Sequence, residues 1–186
     1  MGFIEIILII LGWFALKFGI LNHTSFETSF LAGIVYNYTA LIIIAIVCVY
    51  RNIRENSSTP PFLDAFKLIA KKVITYSILA SLSITVWHHY FIQDINAKRL
   101  EEIIYDKQNA FETHDEYIDF VGENPELQNL SREDWIEKET ESVKLIYSMG
   151  IQTSLTMMLY LVLGLFISLI ASFLWTKVWI TQQRQN

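Results

Sequence analysis

ALIIIAIVCV, residues 40–49, decides the fold of this chain. The ten residues carry no polar side chain except the thiol of Cys48. A helix that is apolar on every side belongs in a large core or in a membrane. The run sits inside a longer apolar stretch, residues 30–49, and three others match it: 3–21, 73–91 and about 151–174. Each of them, wound as a helix at about 1.5 Å per residue, reaches across a hydrocarbon layer of about 30 Å.

The chain has 186 residues, is 53% hydrophobic and has a mean hydropathy of +0.35. A soluble domain is about 45–50% apolar, but its apolar residues are not gathered into uncharged runs of this length. The expectation is one membrane domain, residues 1–186. Cys48 is the single cysteine, so no disulfide forms within the chain; a cysteine inside such a run reads as a small apolar packing residue. The first stretch has no basic residue before it, and residues 22–25 show no small-residue cleavage pattern, so it reads as a retained anchor and not a signal peptide.

Charge sets the expected threading. Arg51, Arg54, Lys67, Lys71 and Lys72 lie between the second and third stretches, opposed only by Glu55 and Asp64. Basic residues in short connections stay cytoplasmic. The first connection, residues 22–29, has neither Lys nor Arg, and the C-terminus carries Lys177 and Arg184 with no acid. Both termini are therefore expected on the cytoplasmic side. The second outer connection, residues 93–145, holds 15 acidic residues against six basic ones, a net of −9 in a chain whose total is −5. Such an excess either keeps an exposed segment in solution or attracts cations or a basic partner.

That acidic segment has helical spacing. Ile92, Ile95, Leu100, Ile103 and Ala110 recur along one face, so the third span is expected to continue outward as an amphipathic helix. Thr113-x-x-Glu116 is a capping box ahead of a short helix. Gly122, Asn124 and Pro125 punctuate a turn. Ser131-x-x-Asp134 opens a further helix with Trp135, Ile136, Val143 and Ile146 on one face, and Gly150 is the only breaker before the fourth span. The expected architecture is all-α. It is a four-helix transmembrane bundle whose third and fourth helices extend outside the membrane as an acidic helical hairpin, with the insertion at residues 93–145. Asn56-Ser57-Ser58-Thr59-Pro60-Pro61 is the nearest thing to a linker.

Lipid gives no hydrophobic drive for helices to associate, so small residues mark faces where they approach closely. Gly12, Ala15 and Gly19 share one face of the first span; Gly33, Asn37 and Ala40 share one in the second. Ala70, Ser77, Ser81 and His88 do so in the third, and Gly150, Ser154, Gly164, Ser168 and Ala171 in the fourth. These stripes point to a compact bundle or to a partner chain. Polar residues within spans are the functional candidates. Asn37 is the most central, on the close-packing stripe, and reads as interhelical glue or a substrate contact. Glu5 lies at the inner edge, and His88 at the outer end of the third span. Lys17 reads as an interfacial anchor whose stem snorkels outward, and Gln152 as an interfacial residue.

His23, His88 and His89 are expected at the outer boundary, where Glu27 or Asp94 could join them around a metal ion. Adjacent histidines diverge by about 100° on a helix, however, and their spacing matches no metal motif. Beside Trp87, Tyr90 and Phe91 they read as an aromatic belt, like Trp13, Trp175 and Trp179. No cofactor is implied. The sequence has no phosphate-binding glycine loop, no GxSxG elbow and no CxxC, and its basic residues flank spans, so nucleic-acid binding has no support.

Tyr38, then Tyr50-Arg51-Asn52 at the inner end of the second span, and Phe62, Ala65, Phe66 and Lys67 at the start of the third form a pattern. With Asn124-Pro125 and the returning fourth span, it resembles a family of small four-span bacterial inner-membrane proteins catalogued as a domain of unknown function. The likeness covers nearly the whole chain in layout. A glycine usual before the Phe is replaced here by Ser57-Ser58-Thr59-Pro60-Pro61, which implies a stiffer inner loop. The resemblance implies the bacterial inner membrane and four spans, and carries no activity or site residue.

The sequence thus points to a multi-pass integral membrane protein, not an enzyme. The expected role is a subunit that assembles with itself or with another membrane complex, through the small-residue stripes or the acidic segment. The alternative is a small oligomeric carrier or channel, with Asn37, Glu5 or His88 along its path.

Overall fold

In a computed structural model of the chain, the structure describes residues 2–21, 23–55, 61–111, 113–124 and 127–183, without the side chains of residues 55 and 178–183. The linker residues 56–60, Pro125, the Trp179 ring and Arg184 lie outside the described residues.

The elements are helical: α1 Phe3–Leu21, α2 Phe26–Glu55, α3 Phe62–Val86, α4 Gln93–Gln108, α5 His114–Glu123, α6 Arg132–Ile146 and α7 Met149–Gln183, with a π-helical turn at Trp87–Phe91 after α3. Four helical segments are long and apolar enough to cross a membrane: Phe3–Leu21, Phe26–Arg54, Phe62–Phe91 and Met149–Lys177. These are the four expected spans, which are compatible with a multi-pass membrane protein. Three of the helices outrun their apolar stretches, because backbone capping ends a helix and hydropathy does not. Ser25 Oγ accepts the Thr28 N–H at 3.3 Å to start α2. The carbonyl of Pro61 accepts the N–H groups of Asp64 and Ala65 at 3.0 and 3.1 Å to start α3. Proline suits that position, since its missing N–H would have had no partner in the first turn.

The chain divides into two compact units, Met1–Ser83 with Thr156–Asn186, and Ile84–Leu155. The division falls inside α3 and inside α7. In the first unit, Leu41, Ile44, Ile69, Val73 and Tyr76 are fully buried together with Asn37, Ser77, Ser81, Ser168 and Ser172. Leu8, Leu11, Val35, Ile46, Val162 and Phe166 point outward. Apolar side chains on the outside and hydroxyls on the inside are what a helix bundle in lipid requires.

The second unit corrects two expectations. The third span does not run on as one continuous helix. At Trp87–Phe91 it widens into a π turn, closed by the Ile92 N–H on the Trp87 carbonyl at 3.0 Å. Ile92 then leaves helical geometry, at φ −122° and ψ 32°, and α4 begins afresh. A π turn is one extra residue in a helical ladder, and no Gly or Pro announces it. The returning helix is broken too, at Tyr147–Ser148 between α6 and α7, whereas Gly150 lies inside α7. Both expected helix starts are present. Thr113 Oγ1 accepts the Glu116 N–H at 3.3 Å and Ser131 Oγ the Asp134 N–H at 3.1 Å.

Phe111, Tyr117 and Trp135 form the core of this unit, with Phe120, Val121, Leu127 and Ile136 packed around them. The rings of Phe111 and Trp135 meet edge-on with centroids 5.1 Å apart, and Phe111 and Tyr117 do so at 5.3 Å. Such pairs add about 0.5–1.5 kcal/mol to the area they bury. Trp135 and Ile136 hold their expected face, while Ile146 is exposed.

Candidate functional site

The polar groups inside the four-span unit form two sets. The first set stitches α1 to α2. At one end Arg51 donates two hydrogen bonds to the Glu5 carboxylate, Nη2 to Oε1 at 2.6 Å and Nη1 to Oε2 at 3.0 Å. Glu5 Oε2 also accepts the Gly2 N–H at 2.7 Å. Further along, the Tyr36 hydroxyl donates to the Ile9 carbonyl at 2.8 Å, and the Trp13 indole N–H to the Gly33 carbonyl at 3.3 Å. Lys17 Nζ donates to Ser29 O at 2.7 Å and Ser29 Oγ at 2.8 Å. The ammonium also stands 5.9 Å from the centre of the Trp13 ring, within reach of its π face.

These contacts bury two side chains that were expected to face the surroundings. Lys17 is buried, 3% exposed, and its stem runs along the α1–α2 pair to bring the ammonium onto Ser29 in the first turn of α2. Trp13 is buried beside it and is not a belt residue; Trp175 is buried as well. The reason is which face of α1 packs. Ile6, Ile10, Trp13 and Lys17 are its buried residues, spaced four, three and four apart, as one helix face demands. Of the Gly12, Ala15, Gly19 stripe, Ala15 and Gly19 lie on the other side. Gly12 touches the Tyr36 hydroxyl, where a Cβ would collide, but Ala15 and Gly19 are exposed and Gly19 has nothing within 4 Å. On α2 the expected stripe does pack. A Cβ on Gly33 would lie 3.2 Å from Trp13 Nε1 and 3.4 Å from Lys17 Cδ.

The second set joins α2, α3 and α7 around Asn37. The Tyr76 hydroxyl donates to Asn37 Oδ1 at 2.6 Å, and Asn37 Nδ2 donates to the Tyr160 hydroxyl at 3.2 Å. The Ser77 hydroxyl donates to the Tyr160 carbonyl at 3.1 Å. Gly164 makes this crossing possible. A Cβ there would collide with Val73 and stand 3.2 Å from Ser77 Oγ. Ser81, Ser168 and Ser172 are also buried, and each hydroxyl donates to the carbonyl four residues earlier, at 2.8, 2.7 and 2.6 Å. That local bond lets a hydroxyl stay inside an apolar layer without an interhelical partner. In α7 the small-residue stripe packs only over Gly164 and Ser168; Gly150 and Ser154 are exposed.

In the second unit, two hydrogen bonds tie the end of the third span to the start of α7. Thr85 Oγ1 and Thr153 Oγ1 lie 2.8 Å apart, and His89 Nε2 lies 2.9 Å from Gln152 Oε1. His88 is half-buried in the π turn, and His23 is exposed in the turn after α1. Among the described residues, no three His, Cys, Asp or Glu side chains converge as metal ligands.

Asn37 was legible as an intramembrane polar residue, but its tyrosine partners Tyr76 and Tyr160 were not. Neither stands out by hydropathy. Lys17 did leave a signal: it falls in register with Ile6, Ile10 and Trp13. No known protein family, curated protein or solved structure matches the chain.

Proposed function

We propose that this protein is a non-enzymatic, multi-pass subunit that assembles with itself or with another membrane complex. One observation carries the reading. α1 spends its bonding face on α2 and leaves Ala15 and Gly19 exposed on the opposite face. A glycine open to lipid lets a second helix backbone approach closely, and such contact drives association where the hydrophobic effect cannot. The Asn37 cluster supports the same reading, because Asn37 uses both ends of its amide on Tyr76 and Tyr160, as structural glue does.

The test is native mass spectrometry from mild detergent, with Gly19→Leu beside the wild type. A stoichiometric complex that Gly19→Leu disperses is the expected result. A strict monomer with no co-purifying partner overturns the proposal.

We further place the protein in a bacterial inner membrane with both termini cytoplasmic and the acidic helices outside, within the four-span family its sequence resembles. The basic flanks of α2 and α3 and the net of −9 over residues 93–145 support this threading. In a Cys48→Ala background, a cysteine at Ser131 should react with an impermeant reagent applied from outside, and one at Asp64 should not. The opposite pattern reverses the orientation.

A small oligomeric carrier is the second reading, and Lys17 is what favours it. A cation turned inward within a span is a functional candidate by default. Proteoliposome flux that survives both Lys17→Met and Asn37→Leu removes those residues from any path.

A further inference from the structure

We infer that the exposed face at the start of α3 holds an anionic phospholipid, its phosphate between Lys67 and Lys71 and its acyl chains along Ile78 and Leu82. The inference rests on the reading that these helices lie in a bilayer, and names a partner that the assembly proposal does not include.

Lys67 and Lys71 stand four residues apart, on one side of the helix, with Cβ atoms about 5–6 Å apart. Both are exposed, and neither has a carboxylate within salt-bridge distance among the described residues. Like charges so placed repel one another unless an anion lies between them. Asp64, also exposed, sits on the same face one turn before Lys67, at the helix start. There it faces the positive end of the helix dipole, and it leaves the two lysines as the cationic step next to the apolar layer.

Depth points to the occupant. The uncharged stretch of this helix begins at Val73. At about 1.5 Å per residue, Lys71 lies about 3 Å and Lys67 about 9 Å outside it. Headgroups occupy a layer of about that depth beyond the hydrocarbon. The anion available at that level is a lipid phosphate.

The same face then continues into the membrane as a lipid-facing stripe. Ile78 and Leu82 are exposed at 38% and 46%. Thr75, one turn before Ile78 on the same side, turns its hydroxyl back to the Lys71 carbonyl at 2.8 Å, so the stripe presents no free hydroxyl to acyl chains. A basic pair at headgroup level above an apolar stripe is complementary to a single anionic lipid in both charge and polarity. A soluble anion would use the lysines and leave the stripe without a role.

The test uses the whole chain in mild detergent with equimolar phosphatidylglycerol and phosphatidylcholine, read by native mass spectrometry. Wild type should retain phosphatidylglycerol preferentially. Lys67→Gln with Lys71→Gln should cut that preference by roughly fivefold per lysine, about thirtyfold for the pair. Lys67→Arg with Lys71→Arg should keep it, and so should Lys98→Gln with Lys138→Gln, which removes two lysines from the second unit. Both changed lysines are exposed, so thermal unfolding of the Gln pair should match wild type. A wild type without preference, or a Gln pair that keeps it, overturns the inference. Extraction of the wild type from membranes by carbonate would instead sink the bilayer reading on which it rests.

Discussion

In the four-span unit the fully buried side chains include Asn37, Ser77, Ser81, Ser168 and Ser172, while Leu8, Val35 and Phe166 face outward. In the unit that holds α4 to α6, the buried ones include Trp87, Ile92, Phe111, Tyr117 and Trp135, and Glu101, Asp115, Glu133 and Glu137 face outward. One chain therefore inverts, between its two units, what it turns outward. Water drives apolar surface inward, and a few aromatic rings suffice to organise three short helices. Lipid would exert no such drive, and the four apolar helices are joined instead by close approach at Gly33 and Gly164 and by hydrogen bonds at Asn37 and Lys17. The proposed placement of residues 93–145 outside the membrane is what this inversion would look like.

The largest effect should come from removing the largest ring of the Phe111 cluster. Trp135 meets Phe111 and Phe120 and carries Lys107 Nζ 5.6 Å from its ring centre. Trp135→Ala should cost the second unit about 3–5 kcal/mol. Limited proteolysis between α4 and α6 should accelerate steeply, while cleavage within α1 and α2 stays at the wild-type rate. Equal acceleration in both regions would mean that the units do not fold by separate rules.

The four-span unit should be most sensitive to size. Gly164→Val inserts a branched side chain where even a Cβ collides with Val73. Overpacking of this kind costs about 1–3 kcal/mol. The midpoint of an SDS unfolding titration should fall accordingly, and Gly19→Val should leave it unchanged within the monomer, because nothing lies within 4 Å of Gly19. If the two variants behave alike, close packing at Gly164 is not what holds α3 and α7 together.

How much of this was legible follows from the same physics. The four spans were, because hydropathy over about 20 residues is a sum that single residues hardly disturb. The starts of α5 and α6 were, because Thr113 and Ser131 form local capping bonds that depend on no distant partner. The packing face of α1 was not. Small residues permit close approach, but the face actually used is chosen by what α2 presents. Ser29 and the Gly33 carbonyl selected Lys17 and Trp13 over the Ala15 and Gly19 side. The π turn at Trp87–Phe91 was invisible for a related reason. It sets the register of one ladder against another through contacts such as His89 to Gln152, and no residue type encodes that alone.

The smallest expected effect gives the finest comparison, since one change can be made in both units. Tyr76→Phe deletes the hydroxyl that donates to Asn37 Oδ1, and Tyr117→Phe deletes the one that donates to the carbonyls of Leu130 and Ser131 at 2.9 and 3.2 Å. In a water-driven core a hydrogen bond contributes about 0.5–1.5 kcal/mol net. Within lipid the mean is about 0.6 kcal/mol, because the unfolded helices also find partners there. Tyr76→Phe should therefore cost no more than Tyr117→Phe, even though Tyr76 is fully buried and its bond is the shorter. SDS titration of the first and urea unfolding of the second measure the two costs. A loss well above 2 kcal/mol for Tyr76→Phe would show that Asn37 and its two tyrosines act as one cooperative unit. The four-span unit would then owe its structure to that polar centre more than to the close approach at Gly164.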